Sequence, residues 1–269
     1  MSDAAARAPS TVPNGTILFE TVYGSRAYGL ATASSDTDLR GVFVPVPLTF
    51  LGYQNAAEQV EPGEERVLYE IRKFFRLAAA CNPTVIEVLF TDPADHVTVS
   101  PEGARLLERR RDFLSRLAGD SFGRYGLAQL HRIRTHRRWL LTPPARKPEH
   151  PREWQQYQEW LRARNPKRAA LEREYGYDTK HAMHLVRLLR MATEILATGE
   201  VHVRRHDADE LRAIREGALS YEALLEQAEA LGARIQELVE TTALPARPDE
   251  TRLNAFCAEL VAATHRRMA

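Results

Sequence analysis

The sequence predicts an α/β domain followed by a larger helical domain, and three observations support this fold class. Segments rich in β-branched and aromatic residues, such as Thr16–Tyr23, occur in the first third of the chain. Beyond residue 95 such segments disappear and apolar residues recur at helical spacing. At 269 residues the chain is long enough for two domains of ordinary size. We expect an α/β domain over residues 14–95, a helical domain over residues 96–269 and a flexible tail over residues 1–13.

The first strand, Thr16–Tyr23, is predicted to end at a turn formed by Gly24 and Ser25. Such a turn exposes backbone N–H groups that can bind phosphate. Residues 26–30 are predicted to form a short helix whose N-terminus would point toward the same anion. Arg26 is a candidate phosphate ligand there, with a solvated surface arginine as the alternative.

Asp36 and Asp38 begin the second strand, which is predicted to continue to Val44. Residues two apart in a strand project from the same face, so the two carboxylates lie close together. Adjacent carboxylates repel, and a divalent cation between them removes the conflict. Mg²⁺ is typically held by one or two carboxylates together with substrate phosphates. Arg40 shares this face and could pair with the acids or reach a phosphate, and Gly41 indicates close approach of another backbone.

The rest of the first domain is predicted to contain one more strand and an amphipathic helix. Residues 49–65 resemble a loop, residues 66–70 a strand, and residues 71–81 a helix with an apolar stripe. Residues 84–90 are compatible with either a strand or a second short helix. The helical domain is predicted to consist of helices separated by proline- and glycine-containing breaks, including one at residues 142–151.

The Gly24-Ser25 turn, ten intervening residues and Asp36-Thr37-Asp38 resemble the signature of the DNA polymerase β-like nucleotidyltransferases. Residues 24–44, 69–90 and 175–201 are together similar to predicted nucleotidyltransferases of the RNA-ligase-associated polymerase type. The resemblance implies that the α/β domain is a small polymerase β palm-like domain with a mixed sheet. It further implies a nucleoside triphosphate substrate and two bound Mg²⁺ ions, with Mn²⁺ as a substitute.

Members of this fold carry a third carboxylate on the strand that follows the Asp-x-Asp strand. Glu65, at the entry to the third strand, is the candidate, and Glu70, which could instead cap the next helix, is the reserve. The resemblance implies that Asp36, Asp38 and Glu65 bind the metal ions. The acceptor hydroxyl would then attack the α-phosphorus in line, with pyrophosphate as the leaving group.

The best-defined helix is predicted over residues 177–198, with Asp178 as N-cap and Gly199 as C-cap. Three of its polar residues share one face by their spacing: Lys180, His184 and Arg187. The resemblance implies that this face lines a cleft opposite the carboxylates and that these three residues bind phosphate. A solvated polar face on a core helix is the alternative.

Residues 124–173 combine many basic residues with interspersed aromatic ones. Single-stranded nucleic acids need both, because cations neutralise the backbone phosphates and flat rings stack on unpaired bases. Trp154, Tyr157 and Trp160 also fall on one helical face, which suits packing in a core equally well. Contact with nucleic acid is therefore a hypothesis for this region.

Overall composition says little about partners, because 37 lysine and arginine residues nearly balance 36 aspartate and glutamate residues. Cys81 and Cys257 are outside any C-x-x-C pattern and are expected to be reduced thiols in a cytoplasmic protein. We find no basic-apolar leader and no apolar run of membrane-spanning length, so no membrane partner is expected. The oligomeric state is left open.

These observations predict an NTP- and magnesium-dependent nucleotidyltransferase that modifies a hydroxyl acceptor. The RNA-ligase-associated resemblance and the basic, aromatic middle region favour an RNA end as that acceptor. Two alternatives stay open: transfer to a small molecule or protein hydroxyl, and a catalytically silent module that binds nucleotide or RNA.

Overall fold

The computed structural model describes residues 11–12, 14–33, 35–53, 57–63, 65–144 and 151–269. Of the predicted tail over residues 1–13 it describes only Thr11 and Val12, which form a strand and not a flexible segment. The remainder of that tail and most of the predicted break at residues 142–151 lie outside the described residues.

The described strands form one mixed sheet, as the sequence predicts. The strands are β1 (Thr11–Val12), β2 (Gly15–Tyr23), β3 (Asp38–Pro45), β4 (Gln59–Gly63), β5 (Arg66–Glu70) and β6 (His96–Val99). β2 pairs antiparallel with β3, β3 pairs parallel with β5, and β4 pairs antiparallel with β5. The other edge of β2 pairs with β1 and β6. The residue before β3, Thr37, therefore lies at the same end of the sheet as Gly24.

Two of these strands differ from the sequence prediction. β4 lies in a segment predicted as a loop, because its acidic and Pro-Gly residues give no alternating pattern; an edge strand tolerates such residues. β6 begins at His96, beyond residue 95, after which no strand was predicted. Its four residues are too few to show the alternation of apolar and polar residues that is typical of a strand. The sheet thus receives its last strand from the segment assigned to the helical domain.

The helices account for most of the chain after β5. They are α1 (Pro47–Leu51), α2 (Ile71–Ala79), α3 (Pro83–Leu89), α4 (Pro101–Glu108), α5 (Leu117–Leu141), α6 (Pro151–Ala163), α7 (Pro166–Tyr175), α8 (Thr179–Thr198), α9 (Ala208–Arg215), α10 (Tyr221–Thr241) and α11 (Glu250–Met268). Two 3₁₀ turns, Pro93–Asp95 and Arg110–Phe113, complete the list.

Capping residues explain where the central helices begin and end. The side chain of Asp178 accepts a hydrogen bond from the His181 N–H at the start of α8, and Gly199 ends the helix with φ of 69°, as predicted. The segment predicted as either strand or helix is α3, because Asn82 caps it and Pro83 occupies its first turn. The apolar stripe of α8, which runs from Leu185 to Leu196, is buried along its length.

One continuous cluster of buried side chains joins the sheet to the helices. It contains Phe19 and Val42 from the sheet as well as Phe122, Leu185 and Phe256 from the helices. Burial of these side chains is the main driving force for packing the two predicted parts against each other. Both cysteines are free, Cys81 buried and Cys257 half-buried.

The glycine predicted inside β3 is explained by close packing. A Cβ atom on Gly41 would lie 2.4 Å from the carbonyl oxygen of Phe19 in β2 and 2.9 Å from Leu68 in β5. Any side chain at this position would push the neighbouring strands apart, so the prediction of close backbone approach is confirmed.

Candidate active site

A cavity of about 560 Å³ lies between one end of the sheet and the helices. The end of β2, the loop after it and the start of β3 form its sheet side, and α3, α5, α7, α8 and the end of α9 form its helical side. Seven of the predicted site residues line it: Gly24, Ser25, Asp36, Asp38, Lys180, His184 and Arg187. The face of α8 predicted to lie opposite the carboxylates therefore does so.

Gly24 brings the turn into direct contact with the first residue of β3. Tyr23 is paired with Asp38 in the sheet, and a Cβ atom on Gly24 would lie 2.7 Å from Asp38 Oδ2. Gly24 also has φ of 69°, a conformation that other residues adopt at a cost. Both the backbone conformation and the space beside Asp38 thus require glycine here.

The chain after Gly24 forms turns and not the predicted short helix. The Tyr28 N–H donates to the Gly24 carbonyl over 3.0 Å, and the Leu30 N–H donates to the Ser25 carbonyl over 2.8 Å. Gly29, with φ of 74°, interrupts the helical path. The prediction of a helix dipole aimed at phosphate is therefore wrong, although Ser25 still faces the cavity.

Glu65 lies beside the aspartate pair, at the start of β5. The Leu39 N–H donates to the Glu65 carbonyl over 2.7 Å, which holds the two strands together at this point. A hydrogen bond with Asp38, followed by the negative charges of Asp38 and Asp36, raises the pKa of Glu65 above its ordinary value. The reserve candidate, Glu70, is at the far end of β5, where its buried carboxylate caps α2 and pairs with Arg72.

The three carboxylates can be tested as ligands for Mg²⁺. No group of three or more His, Cys, Asp or Glu side chains in the described part of the chain is arranged to hold a metal ion as it stands. The carboxylates of Asp36, Asp38 and Glu65 nevertheless suit Mg²⁺, because this ion prefers oxygen ligands. Asp38 and Asp36 raise the pKa of Glu65 above its ordinary value, and a divalent cation between the carboxylates would relieve their repulsion.

Two arginines predicted to bind phosphate hold the loop and the strand instead. Arg26 donates to the backbone carbonyls of Ser35, over 2.8 Å, and Asp36, over 3.2 Å, so it supports the loop that carries Asp36. Arg40 lies 3.5 Å from Asp38 Oδ1 and donates to the Glu65 carbonyl. Neither side chain lines the cavity, because each is committed to these neighbours.

Arg187 lines the cavity as predicted for a phosphate ligand, but a buried carboxylate balances its charge. It is 4% exposed and forms an ion pair with the fully buried Glu87 of α3. Its guanidinium lies over the Tyr28 ring, 3.9 Å from the centroid. The hydroxyl groups of Tyr28 and Tyr23 donate to the same carboxylate, over 2.6 and 2.8 Å. This cluster, which we call the Glu87 network, joins the Gly24 turn to α3 and α8.

Sequence reasoning missed the Glu87 network because its members are far apart in the chain. A glutamate in the middle of an otherwise apolar helix was the one available signal. Burial, followed by the negative charge of Glu87, raises the pKa of Tyr23 well above its ordinary value, and the positive charge of Arg187 only partly opposes this shift. The phenol therefore stays protonated and remains a hydrogen-bond donor.

Lys180 and His184 face the cavity from α8 but differ in charge. Burial lowers the pKa of Lys180, and the nearby Arg168 and Arg215 lower it further. Burial, followed by the positive charges of Arg187 and Lys180, lowers the pKa of His184 to about 3. His184 is therefore neutral at physiological pH and can contact phosphate only through a neutral N–H.

The structure divides the basic middle region into two groups. Arg134, Arg137, Arg138 and Arg164 form ion pairs with Glu229, Glu222, Glu153 and Glu172 respectively. Arg132, Lys167 and Arg168 line the cavity instead, together with Arg215 of α9, which the sequence analysis did not single out. Whether a basic side chain pairs with a glutamate or lines the cavity depends on its position on the helix.

The aromatic residues of the middle region pack on one another. The ring of Trp160 lies 5.4 Å from that of Trp139 and 5.8 Å from that of Tyr157, and Trp154 lies 5.9 Å from Tyr157. The structure thus favours the packing alternative for these rings. Tyr125 and Gln129 of α5 line the cavity, and sequence reasoning missed both.

The comparisons with known proteins agree with this geometry. None of the helices in the described residues is long and apolar enough to cross a membrane. No curated protein and no solved structure matches the chain. A family model described as the RNA repair pathway DNA polymerase beta family matches residues 4–259. Because this match covers nearly the whole chain, the protein belongs to the RNA repair pathway DNA polymerase beta family, a group of polymerase β-like nucleotidyltransferases.

Proposed function

We propose that the protein transfers a nucleoside monophosphate from an NTP to a hydroxyl group at an RNA end, with release of pyrophosphate. One observation carries the proposal: Asp36, Asp38 and the Gly24-Ser25 turn share a cavity with several cationic side chains. Membership of the RNA repair pathway family supports RNA as the acceptor.

The reaction forms a bond between the acceptor oxygen and the α-phosphorus of the NTP. The bond from the α-phosphorus to the bridging oxygen of the β-phosphate breaks, so that pyrophosphate leaves, and the acceptor hydroxyl loses its proton. Ser25 and the backbone N–H groups of the turn bind the triphosphate, and Lys180 neutralises part of its charge from the opposite wall.

Asp36, Asp38 and Glu65 would hold Mg²⁺, with Mn²⁺ as a substitute. When bound, the metal supplies charge neutralisation for the phosphates and lowers the pKa of the acceptor hydroxyl. Glu65 lies against Asp38, so its carboxylate would help to hold the metal and would accept the proton of the acceptor hydroxyl. Positioning and electrostatic neutralisation account for most of the catalysis in such transfers.

The test is incubation of the purified protein with Mg²⁺, each α-³²P-labelled NTP and a short single-stranded RNA with a free 3′ hydroxyl. We expect label on the RNA with the wild-type protein and none with the Asp36→Asn/Asp38→Asn variant. Asp120→Asn is the matched control, because Asp120 is exposed and lies outside the cavity. Its activity should equal that of the wild type.

The outcomes separate the competing functions. Label on the protein itself would favour modification of a protein hydroxyl. Label that appears only when small hydroxyl compounds are added would favour a small-molecule acceptor. Nucleotide binding without any transfer would favour a silent binding module, and equal labelling by the Asp36→Asn/Asp38→Asn variant would overturn the proposed chemistry.

A further inference from the structure

One face of α5 forms part of the cavity wall and carries three different kinds of polar group. Tyr125, Gln129 and Arg132 are spaced by four and three residues, so their side chains lie in a row along the helix. A Cβ atom on Gly126 would lie 3.0 Å from Leu189 of α8, so α5 packs closely against that helix. The row therefore runs beside the α8 face that carries Lys180.

Tyr125 is exposed for a large aromatic residue and is held in one orientation. Its side chain is 43% accessible to solvent. Asn82, the N-cap of α3, donates a hydrogen bond from Nδ2 to the Tyr125 hydroxyl over 2.8 Å. A ring that is fixed at its hydroxyl end and open on its surface is a suitable platform for a stacked base.

Some of the cations that line the cavity near this row form no ion pair among the described residues. Six basic side chains and three carboxylates line the described cavity wall. Arg187 is paired with Glu87, and Arg168 with Asp178. Arg132, Lys167 and Arg215 form no ion pair within the described parts of the chain, and Arg132 and Lys167 are exposed. Because these cationic side chains have no carboxylate partner there, they can bind an anionic ligand at the cavity.

We propose that this face is the acceptor-strand site, in which Tyr125 stacks on an unpaired base of an RNA end and Arg132 and Lys167 bind backbone phosphates. Gln129 lies between them, where its amide can reach a base edge. The aromatic platform, the neutral amide and the cations together are the chemistry that recognises a single-stranded nucleic acid. The inference rests on the proposed function for its choice of RNA, and it assigns the triphosphate to the separate Gly24-Ser25 side of the cavity.

The experiment measures binding without catalysis, so that its failure can be distinguished from failure of the transfer reaction. A fluorescently labelled single-stranded RNA of twelve nucleotides is titrated with the Asp36→Asn/Asp38→Asn protein, and binding is followed by fluorescence anisotropy. Tyr125→Ala should raise the Kd about tenfold, which corresponds to the loss of one stacking contact. Tyr125→Phe keeps the ring and should leave the Kd within about twofold.

Arg132→Ala/Lys167→Ala should weaken binding and reduce its salt dependence. Loss of two phosphate contacts lowers the slope of log Kobs against log salt by about 1.4 for a single strand. Arg134→Ala is the matched control, because Arg134 is an exposed arginine on the same helix that lies outside the cavity. Binding of ATP with Mg²⁺, measured by calorimetry with the same substitutions introduced singly or in pairs into the wild-type protein, should be unchanged.

Three results would overturn the proposal. Tyr125→Phe could weaken binding as much as Tyr125→Ala, which would mean that the Asn82 hydrogen bond matters and stacking does not. Arg134→Ala could match Arg132→Ala/Lys167→Ala, which would indicate nonspecific charge attraction. A blunt RNA duplex of the same length could bind as tightly as the single strand, which would exclude recognition of an unpaired base.

Discussion

Replacing Glu87 by glutamine should destabilise the fold strongly while leaving the side-chain volume almost unchanged. Glu87 is fully buried and accepts from Arg187, Tyr23 and Tyr28. Glutamine removes the charge that compensates the buried guanidinium of Arg187, and it presents an amide N–H₂ to groups that are themselves donors. Removing one member of a buried ion pair typically costs about 3–5 kcal/mol.

That cost is large relative to the total stability of a typical protein, about 5–15 kcal/mol. The double variant Glu87→Gln/Arg187→Met removes both charges and leaves no buried ion without a partner. Replacing both members of a buried pair by uncharged groups is often close to neutral. We therefore expect the double variant to be more stable than Glu87→Gln alone.

The assay is urea unfolding at pH 7, followed by circular dichroism, for the wild type, both single variants and the double variant. Glu259→Gln is the matched control, because Glu259 pairs with Arg105 on the surface, and such exposed pairs contribute about 0–1 kcal/mol. The reasoning is refuted if Glu87→Gln costs less than about 1 kcal/mol. It is also refuted if the double variant is no more stable than Glu87→Gln.

Three further predictions follow from the geometry of the site. Gly24→Ala should abolish nucleotidyl transfer and lower the free energy of unfolding by about 1–2 kcal/mol, because the new Cβ meets Asp38 and φ is positive. Its control is Gly123→Ala on α5, where a Cβ meets no neighbouring atom; this change should stabilise the protein by about 0.5–1 kcal/mol in the same unfolding assay. The pKa of His184 is lowered to about 3 in the folded protein, so below pH 6.5 the unfolded chain binds one more proton than the folded protein does. The free energy of unfolding should therefore fall as the pH drops from 6.5 toward 3. His184→Gln should flatten that decline in a pH series of urea melts. Mg²⁺ should raise the melting temperature, and this effect should weaken as the pH is lowered, because protons compete with the cation for Glu65, whose pKa is raised; an Asp38→Asn variant that shows the same two effects would contradict this assignment.

The Glu87 network is also the structural link between the Gly24 turn and the helices. Tyr28 follows the turn, and its hydroxyl and ring contact Glu87 of α3 and Arg187 of α8. Because this link is buried and three donors converge on the Glu87 carboxylate, the turn is fixed relative to the helical wall of the cavity. A fixed relation between the phosphate-binding turn and the opposite wall is what positional catalysis requires.

Local features of the chain were predictable because each depends on neighbouring residues. Asp178 and Gly199 act at helix ends through contacts within three or four residues, and the sequence pattern predicts such contacts directly. The Gly-Ser turn and the spacing of Asp36 and Asp38 are equally local, so the sheet side of the cavity could be named from the sequence. The strands β4 and β6 could not be predicted from local sequence, since a short or edge strand forms only where a longer strand offers a partner.

The sequence pattern by itself thus determined the longer strands, the helices and the two aspartates at one end of the sheet, although Asp36 lies in the loop before β3 and not in the strand as predicted. Only the tertiary structure decided which charges are available to a ligand. Arg187 was predicted to bind phosphate, but Glu87, a hundred positions earlier in the chain, neutralises it. Arg132 and Arg134 look alike in sequence, yet one lines the cavity while the other lies near Glu229. The physical reason is that periodicity specifies the face of a helix, whereas the partner that meets this face depends on packing between segments distant in sequence.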